Sequence, residues 1–191
     1  MERAARGIAG PAPVVPMFRR ADAGDIAAIV ALVESTYRGD ASRAGWTTEA
    51  DLLDGQRTDA EEIAALIARP GSRIVLAETC EGDRVTALRA CCHIERHGNA
   101  CHFGMFSVSA PCQRGGLGRR MLAHAEAFAR DEWQCREMHM HVIDVRTELM
   151  AWYERRGYRR TGIHAPFPYG DPRFGLPKRP DLRFELMVKP L

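Results

Sequence analysis

The sequence predicts a single α/β domain with a mixed, mostly antiparallel sheet flanked by helices. Two observations predict this fold class. The length of 191 residues suits one domain with a large core. The apolar patterns run in the order βααβββαβαβ, with three strand patterns in succession. Residues 14–191 are therefore expected to form the domain, and residues 1–13, rich in Ala, Gly and Pro, a flexible N-terminal leader.

The first half of the chain predicts one strand followed by two helices. Residues 14–21 form a strand pattern, and Asp22 is suited to cap the next helix, which has one apolar face. A polar stretch follows, and we expect a short helical piece in it after Thr47 or Thr48. Thr58 then opens a capping-box pattern, which predicts the start of the second helix.

The middle of the chain changes to a strand period. Residues 72–80, 85–96 and 100–110 are rich in apolar and β-branched residues. Gly82-Asp83 and His97-Gly98-Asn99 separate these segments with residues typical of turns. The pattern predicts three antiparallel strands joined by tight turns.

The last third begins with the glycine-rich stretch Gln113–Arg120, which precedes an amphipathic helix pattern. We then expect a strand at residues 138–145 and a helix at residues 146–156, which Gly157 is suited to end. A Pro- and Gly-rich loop follows, and residues 181–191 form a closing strand pattern.

Composition excludes several classes of function. Hydrophobic residues make up 46% and charged residues 27% of the chain, as in soluble globular proteins. A net charge of +2 gives no bulk attraction to nucleic acid or to a membrane surface. No apolar run is long enough for a membrane span, and the N-terminus lacks the apolar region of a signal peptide. We therefore expect a cytoplasmic protein whose six cysteines, none in a CxxC pair, are free thiols.

The stretch Gln113–Arg120, QRGGLGRR, has the composition of an anion-binding turn. It lacks the Lys-Ser/Thr of a phosphate-binding Walker loop, and Met121 stands where a dinucleotide fingerprint has its third glycine. Amides at a helix N-terminus still favour an anion, and Gly115, Gly116 and Gly118 would let it approach closely. A tight strand-to-helix connection without a ligand is the alternative.

Two motifs resemble those of the GCN5-related N-acetyltransferases. The stretch 113–118 matches the Q/R-x-x-G-x-G/A signature of that family, and the strand end at 106–108 precedes it as in the family. About 35 residues later, AWYERRGY at 151–158 resembles the family's A-x-x-Y-x-x-x-G-F/Y helix end. The resemblance covers residues 14–191 and implies a GNAT-like fold, in which the sheet is splayed.

The resemblance implies acetyl-CoA as cosubstrate. In the family, the amides of the glycine turn bind the diphosphate and the end of the preceding strand binds the pantetheine arm. The positions that match are Phe106, Ser107, Val108, Gln113, Arg114, Gly115, Gly116, Leu117, Gly118 and Arg119. Many members carry Asn seven residues before the motif tyrosine, whereas this chain has Arg146. That arginine is expected either to bind the same arm or to reach for an acidic acceptor.

The resemblance also implies the chemistry. Tyr153 matches the family tyrosine that protonates the departing CoA thiolate, and a backbone N–H near Val108 would stabilise the oxyanion. The alternative is that Tyr153 only packs, beside Trp152, on the inner face of the helix. The sequence does not identify a general base, and a water chain could replace one. The candidates for it are His102, Glu95, Glu49 and Glu148.

The resemblance implies acetyl transfer to a primary amine. Direct attack is expected, since no cysteine has the signature of a nucleophile. Trp46, Thr47 and Glu49 are candidates for the acceptor site. His139 and His141 share one face of a strand, but no third ligand accompanies them, so we expect no metal. The competing hypothesis is a non-catalytic acyl-CoA-binding sensor or scaffold. The sequence does not identify the acceptor, and it is compatible with a homodimer.

Overall fold

The computed structural model describes residues 16–81 and 84–191. The predicted leader, the first two residues of the predicted first strand and the Gly82-Asp83 turn lie outside these residues. The helices are α1 (Ile26–Tyr37), α2 (Ala60–Ala68), α3 (Leu117–Asp131) and α4 (Thr147–Glu154). The strands are β1 (Met17–Arg20), β2 (Leu53–Asp54), β3 (Ser72–Glu81), β4 (Arg84–His97), β5 (Ala100–Val108), β6 (Glu137–Ile143), β7 (Arg159–Pro166), β8 (Leu176–Pro177) and β9 (Arg183–Pro190).

Seven strands form the main sheet, in the order β1-β3-β4-β5-β6-β9-β7. The neighbours β5 and β6 are parallel, and the other described neighbours are antiparallel. This arrangement confirms the predicted mixed, mostly antiparallel sheet. The β5–β6 pairing runs only from Ala100 opposite Glu137 to His102 opposite His139. Beyond that point the two strands separate, so the sheet is splayed in its middle.

The core has two layers, one on each face of the sheet. Helices α1 and α2 bury Ile29 and Ile63 against one face, and α3 buries Met121 against the other. Cys91 and Cys92, adjacent in β4, belong to opposite layers, as the alternation of side chains along a strand predicts. The removal of these apolar side chains from water, on both faces of the sheet, is the main force that stabilises the arrangement.

The sequence did not reveal strand β7. The sequence pattern predicts loop after Gly157, but Arg159–Pro166 pairs with β9 at the edge of the sheet. This strand is mostly exposed, and its pairing is interrupted between Arg160 and His164. An exposed, irregular edge strand has no need for alternating apolar residues, so its sequence carries no period of two. The short sheet of β2 and β8 was missed because two-residue strands have no period at all.

Two local predictions about helix starts are wrong. The short helical piece expected directly after Thr48 is absent: the Thr48 hydroxyl accepts a hydrogen bond from the N–H of Ala50 within a turn, and a 3₁₀ helix lies earlier, at Asp40–Ala44. The N-cap of α2 is Asp59 rather than Thr58, since the Asp59 carboxylate accepts from the N–H of Glu62. Asp22 does form a capping box, at the 3₁₀ turn that leads into α1. The second miss is an error of one position, because Thr and Asp cap through the same chemistry.

None of the helices in the described ranges is both long enough and apolar enough to cross a lipid bilayer.

Candidate functional site

A β-bulge in β5 marks the place where the sheet opens. Cys91 pairs with Ser107 and His93 with Gly104, so two residues of β5, Met105 and Phe106, lie opposite Cys92 alone. Met105 has φ = 46°, in the left-handed region that a side chain rarely adopts. A bulge bends its strand and increases the local twist, which turns the end of β5 away from β6. Backbone strain of this kind is typical of functional sites.

The end of β5 is held from both sides by side chains. The hydroxyl of Tyr37, from α1, donates to the carbonyl oxygen of Phe106. The side-chain amide of Gln113 donates to the carbonyl oxygen of Val108 at 2.9 Å. Both carbonyls therefore point away from β4 and into the gap that β6 has left. The strand end is fixed in place although no strand pairs with it on this side in the described part of the chain.

The glycine turn forms the N-terminus of α3. Gly116 is the N-cap residue, with φ = 78°, and no side chain caps the helix there. The first amides of a helix have no partner within the helix, so those of Leu117, Gly118 and Arg119 point out of it. A Cβ atom added to Gly116 would meet no atom within 4 Å, whereas one at Gly118 would lie 3.3 Å from the Phe106 ring. The glycines thus keep the helix start open and let it approach the strand end.

The remaining predicted cofactor residues fall into two groups. The side chains of Ser107 and Leu117 are buried in the protein, so these two residues can offer a ligand their backbone groups alone. Arg114 and Arg119 are exposed beside the helix N-terminus, where they add positive charge to the helix dipole. Gly115, which follows Arg114 in the turn, is also exposed.

Two neighbouring cavities share lining residues at the splay. The turn-side cavity, of about 250 Å³, is lined by Gly116, Gly118 and Arg114 together with residues of β5 and α4. The sheet-side cavity, of about 470 Å³, lies between the separated strands β5 and β6. Some residues line both cavities and so stand at their junction. They are Tyr37, Phe106, Arg146, Leu149 and Tyr153.

Tyr153 lies at this junction with a free hydroxyl. It is 4% exposed, and its hydroxyl makes no hydrogen bond to another residue within 16–81 and 84–191. Burial, followed by the neighbouring Tyr37, raises the pKa of Tyr153 well above that of a free tyrosine. The phenol therefore keeps its proton at any physiological pH.

The side chain of Arg146 is held by hydrogen bonds to other residues of the protein. Its guanidinium donates to the Glu49 carboxylate and to the carbonyl oxygen of Thr47, each at 2.7 Å. Glu49 is 6% exposed and also accepts from Arg38 at 2.7 Å. Burial alone would raise the pKa of Glu49, but Arg146, Arg57 and Arg38 outweigh it and lower the pKa below its usual value. Glu49 is therefore ionised and paired, which makes it a poor base.

The three predicted acceptor residues divide between the two cavities. Trp46 and Thr47 line the turn-side cavity, where Gln113 holds them: its side-chain oxygen accepts from the Trp46 N–H at 2.9 Å, and its nitrogen donates to the Thr47 hydroxyl at 3.3 Å. The Trp46 ring lies 6.4 Å from that of Trp152. Glu49 lines the sheet-side cavity.

Among the candidate bases, His102 lines the sheet-side cavity. Its Nε2 lies 3.0 Å from Nδ1 of His141, and burial, followed by His141, lowers the pKa of His102 to about 4. Glu95 instead faces Arg69, and Glu148 is exposed at the start of α4. Within the described ranges no three side chains of His, Cys, Asp or Glu come together as a metal site.

Sequence reasoning missed several residues of the site. Arg156 stacks over the Trp152 ring at 3.4 Å and lines the turn-side cavity. The doublet Arg155-Arg156 at the end of the motif helix was the available signal. Tyr37 lies near the end of the predicted first helix, on its apolar face, and nothing local shows that its hydroxyl reaches β5.

Comparison with solved structures places this fold among acetyltransferases. A putative phosphinothricin N-acetyltransferase superposes with a TM-score of 0.65 at 16% identity, over 93% of this chain and 99% of that chain. The spermidine/spermine N-acetyltransferase SpeG from Vibrio cholerae gives 0.63 at 13% identity, over 92% of each chain. A nourseothricin acetyltransferase gives 0.51 at 21% identity, over 63% of this chain and 66% of that chain. A search of curated proteins found no match.

The splayed sheet, with an uncapped, glycine-lined helix start beside it, is an α/β fold that resembles those of solved acetyltransferases. The sequence model of the Acetyltransferase (GNAT) family matches residues 30–158. The chain therefore belongs to the GNAT family, whose usual cosubstrate is acetyl-CoA.

Proposed function

We propose that this protein transfers an acetyl group from acetyl-CoA to the primary amine of an acceptor by direct attack. One observation carries the proposal: the open N-terminus of α3 and the free hydroxyl of Tyr153 border the same cavity. An anion site and a proton donor in one enclosed space are what transfer from a phosphorylated thioester requires.

The residues present fit the cosubstrate. The uncapped amides that follow Gly116, with Arg114 and Arg119 beside them, suit a diphosphate. The backbone of Phe106, Ser107 and Val108 borders the gap, where an extended amide-containing arm could add to the edge of β5 as a strand would. Gln113 would hold the strand end and the Trp46–Thr47 loop in register around that arm.

The protein's own groups would act on the reaction as follows. Acetyl-CoA would supply an activated acetyl thioester; a C–N bond forms as the C–S bond breaks. A backbone N–H near Val108 would stabilise the negative charge that develops on the carbonyl oxygen. Tyr153 would give its proton to the departing sulfur, and its raised pKa ensures that it carries that proton. The amine must lose a proton, and a water chain would accept it, because burial leaves His102 of the sheet-side cavity a weak base.

Arg146 would position the site rather than bind the pantetheine arm. Its bonds to Glu49 and to the Thr47 carbonyl join the start of α4, which carries Tyr153, to the loop that covers the turn-side cavity. The Arg146 guanidinium would thereby fix the distance between Tyr153 and the loop that contains Thr47.

Calorimetric titration of the purified protein with acetyl-CoA tests the proposal, with ATP and NAD as controls. We expect selective micromolar binding of acetyl-CoA, followed by release of CoA when an amine acceptor is present. No binding of acetyl-CoA to a folded sample would exclude the transferase. Binding without turnover on any amine would favour an acyl-CoA sensor or scaffold instead.

A further inference from the structure

The sheet-side cavity has a largely apolar wall. Side chains from the separated strands and from the segments that follow them provide this wall, and they include several aromatic rings. They are Phe103, Met105, Val142, Ile143, Phe167 and Phe184. A volume of about 470 Å³ is in the range of small-molecule sites. The wall alone would suit an apolar body without selecting its charge.

A buried arginine in this cavity has donors without partners. Arg38 is 7% exposed, and one of its terminal nitrogens donates to Glu49. Its Nε and its second terminal nitrogen are buried and have no hydrogen-bond partner among the described residues. Unpartnered buried donors are rare and unfavourable, more so on a charged group, and each calls for an explanation. Both nitrogens have almost no accessible surface, so an oxygen anion in the cavity would pair with them once the Arg38 side chain shifts toward it.

A second arginine of the cavity is also uncommitted. The Arg57 guanidinium lies 5.7 Å from the centroid of the Tyr37 ring, and its side chain makes no hydrogen bond within the described ranges. Its main-chain N–H, by contrast, is held by the Glu34 carboxylate at 2.6 Å. The backbone of Arg57 is thus fixed while its charged head remains available.

The charges around the cavity do not balance. Three arginines line it, and the buried carboxylate, Glu49, is shared between two of them. The other lining carboxylate, Glu62, is exposed and accepts from the Thr58 hydroxyl. Burial lowers the pKa of both His93 and His102 to about 4, so neither adds charge at neutral pH. An excess of positive charge in an apolar cavity attracts an anion and repels a polyamine.

We propose that the acceptor is an amino acid-like molecule: a primary amine on an apolar body that also carries a carboxylate or phosphonate, which Arg38 and Arg57 bind. This inference rests on the proposed acetyl transfer and names its substrate class. The anion would lie beside the arginines, and the amine would reach the junction of the cavities at Phe106 and Tyr153. Guanidinium groups bind both oxyacids through paired N–H donors.

Four amines test the proposal in assays of CoA release. Three share one body and differ in one group: L-phenylalanine has a carboxylate, 1-amino-2-phenylethylphosphonate a phosphonate, and phenylalaninol an uncharged hydroxymethyl group. Spermidine is the fourth. We expect kcat/KM for one of the two anionic amines to exceed that for phenylalaninol and for spermidine at least ~10-fold, as a charge-assisted bond predicts. The better of the two identifies the oxyacid.

Arg57→Gln is the informative variant, because Arg57 forms no ion pair with residues 16–81 or 84–191 whose loss would disturb folding. It should lower kcat/KM for the preferred anionic amine roughly 10- to 100-fold and leave phenylalaninol nearly unchanged. Arg130→Gln, which removes an exposed arginine of α3, is the matched control and should change neither rate. An equal loss on all four amines would overturn the proposal, as would a preference for phenylalaninol or spermidine.

Binding measurements separate this proposal from the acetyl transfer on which it rests. The same protein is titrated with acetyl-CoA and, in the presence of CoA, with N-acetyl-L-phenylalanine and its phosphonate analogue. If acetyl-CoA binds but no anionic amine is acetylated and neither acetylated anion binds, the substrate class is wrong and the transferase stands. If acetyl-CoA does not bind, the transferase itself fails.

Discussion

Arg146 and Glu49 form an ion pair of 2.7 Å across 97 positions of the sequence. The pair joins the start of α4 to the loop beside the turn-side cavity, and Arg38 completes a buried triad on the same carboxylate. Buried charges of this kind are costly when one partner is removed, because the others remain without compensation. The triad therefore couples stability to the geometry of the site.

Glu49→Gln should destabilise the protein by about 3–5 kcal/mol, because it leaves two buried guanidinium groups facing each other. The free energy of unfolding, measured in urea, checks this value. Asp51→Asn is the control, since Asp51 pairs with Arg43 at the exposed surface and should give no measurable change. Equal stability of Glu49→Gln and the wild type would show that the triad does not contribute to folding.

Tyr153→Phe should lower kcat at least ~100-fold while acetyl-CoA binds with unchanged affinity, because only the donated proton is lost. Single-turnover rates and calorimetry measure the two quantities on one sample. Tyr158→Phe controls for the loss of a buried phenol nearby, whose hydroxyl bonds Glu126 instead of facing the cavities. Full activity of Tyr153→Phe would remove this residue from the mechanism.

Gly116→Ala should weaken acetyl-CoA binding at least ~10-fold, because its Cβ would stand at the open helix start where the diphosphate is expected. The positive φ of 78° should also cost about 1 kcal/mol of stability. Gly98→Ala is the matched control, with φ = 62° in a distant hairpin turn and no atom within 4 Å of its added Cβ. Both variants should lose a few degrees of Tm, but a loss of affinity in both would show that the effect is not local.

The free energy of unfolding should fall as the pH drops from 6.5 toward 4, partly through His93. The pKa of His93 is lowered from 6.5 to about 4, mainly by burial. Glu95 opposes this shift, whereas Arg69 and His97 add to it. Between these values the unfolded chain binds a proton that the folded protein excludes, so the stability present above pH 6.5 is lost at up to about 1.4 kcal/mol per unit.

His93→Gln identifies this contribution. A Gln amide can still donate to the Ser72 hydroxyl, which lies 2.8 Å from Nε2 of His93, but it does not titrate. The variant should show a shallower loss of stability between pH 6.5 and 4 in urea unfolding, and His102, with its own lowered pKa, should account for part of the remainder. An unchanged pH profile would contradict the assignment.

Much of the fold was readable from the chain because buried elements leave periodic traces. The meander of β3, β4 and β5 and the amphipathic face of α3 follow from alternating and helical spacing of apolar residues. The glycine turn was readable for a local reason too, since a positive φ at Gly116 and a close approach at Gly118 demand glycine wherever the rest of the chain lies. The exposed edge strand β7 left no such trace.

What the sequence determined by itself is the family pattern: the order of the elements apart from β2, β7 and β8, the turn that opens α3 and the tyrosine of α4. Only the tertiary structure decided what these residues contact. Tyr37 holds the carbonyl of Phe106, Arg146 pairs with Glu49, and Arg38 and Arg57 face one cavity with donors to spare. Such contacts join residues far apart in the chain, and their energies depend on burial and distance, neither of which local spacing records.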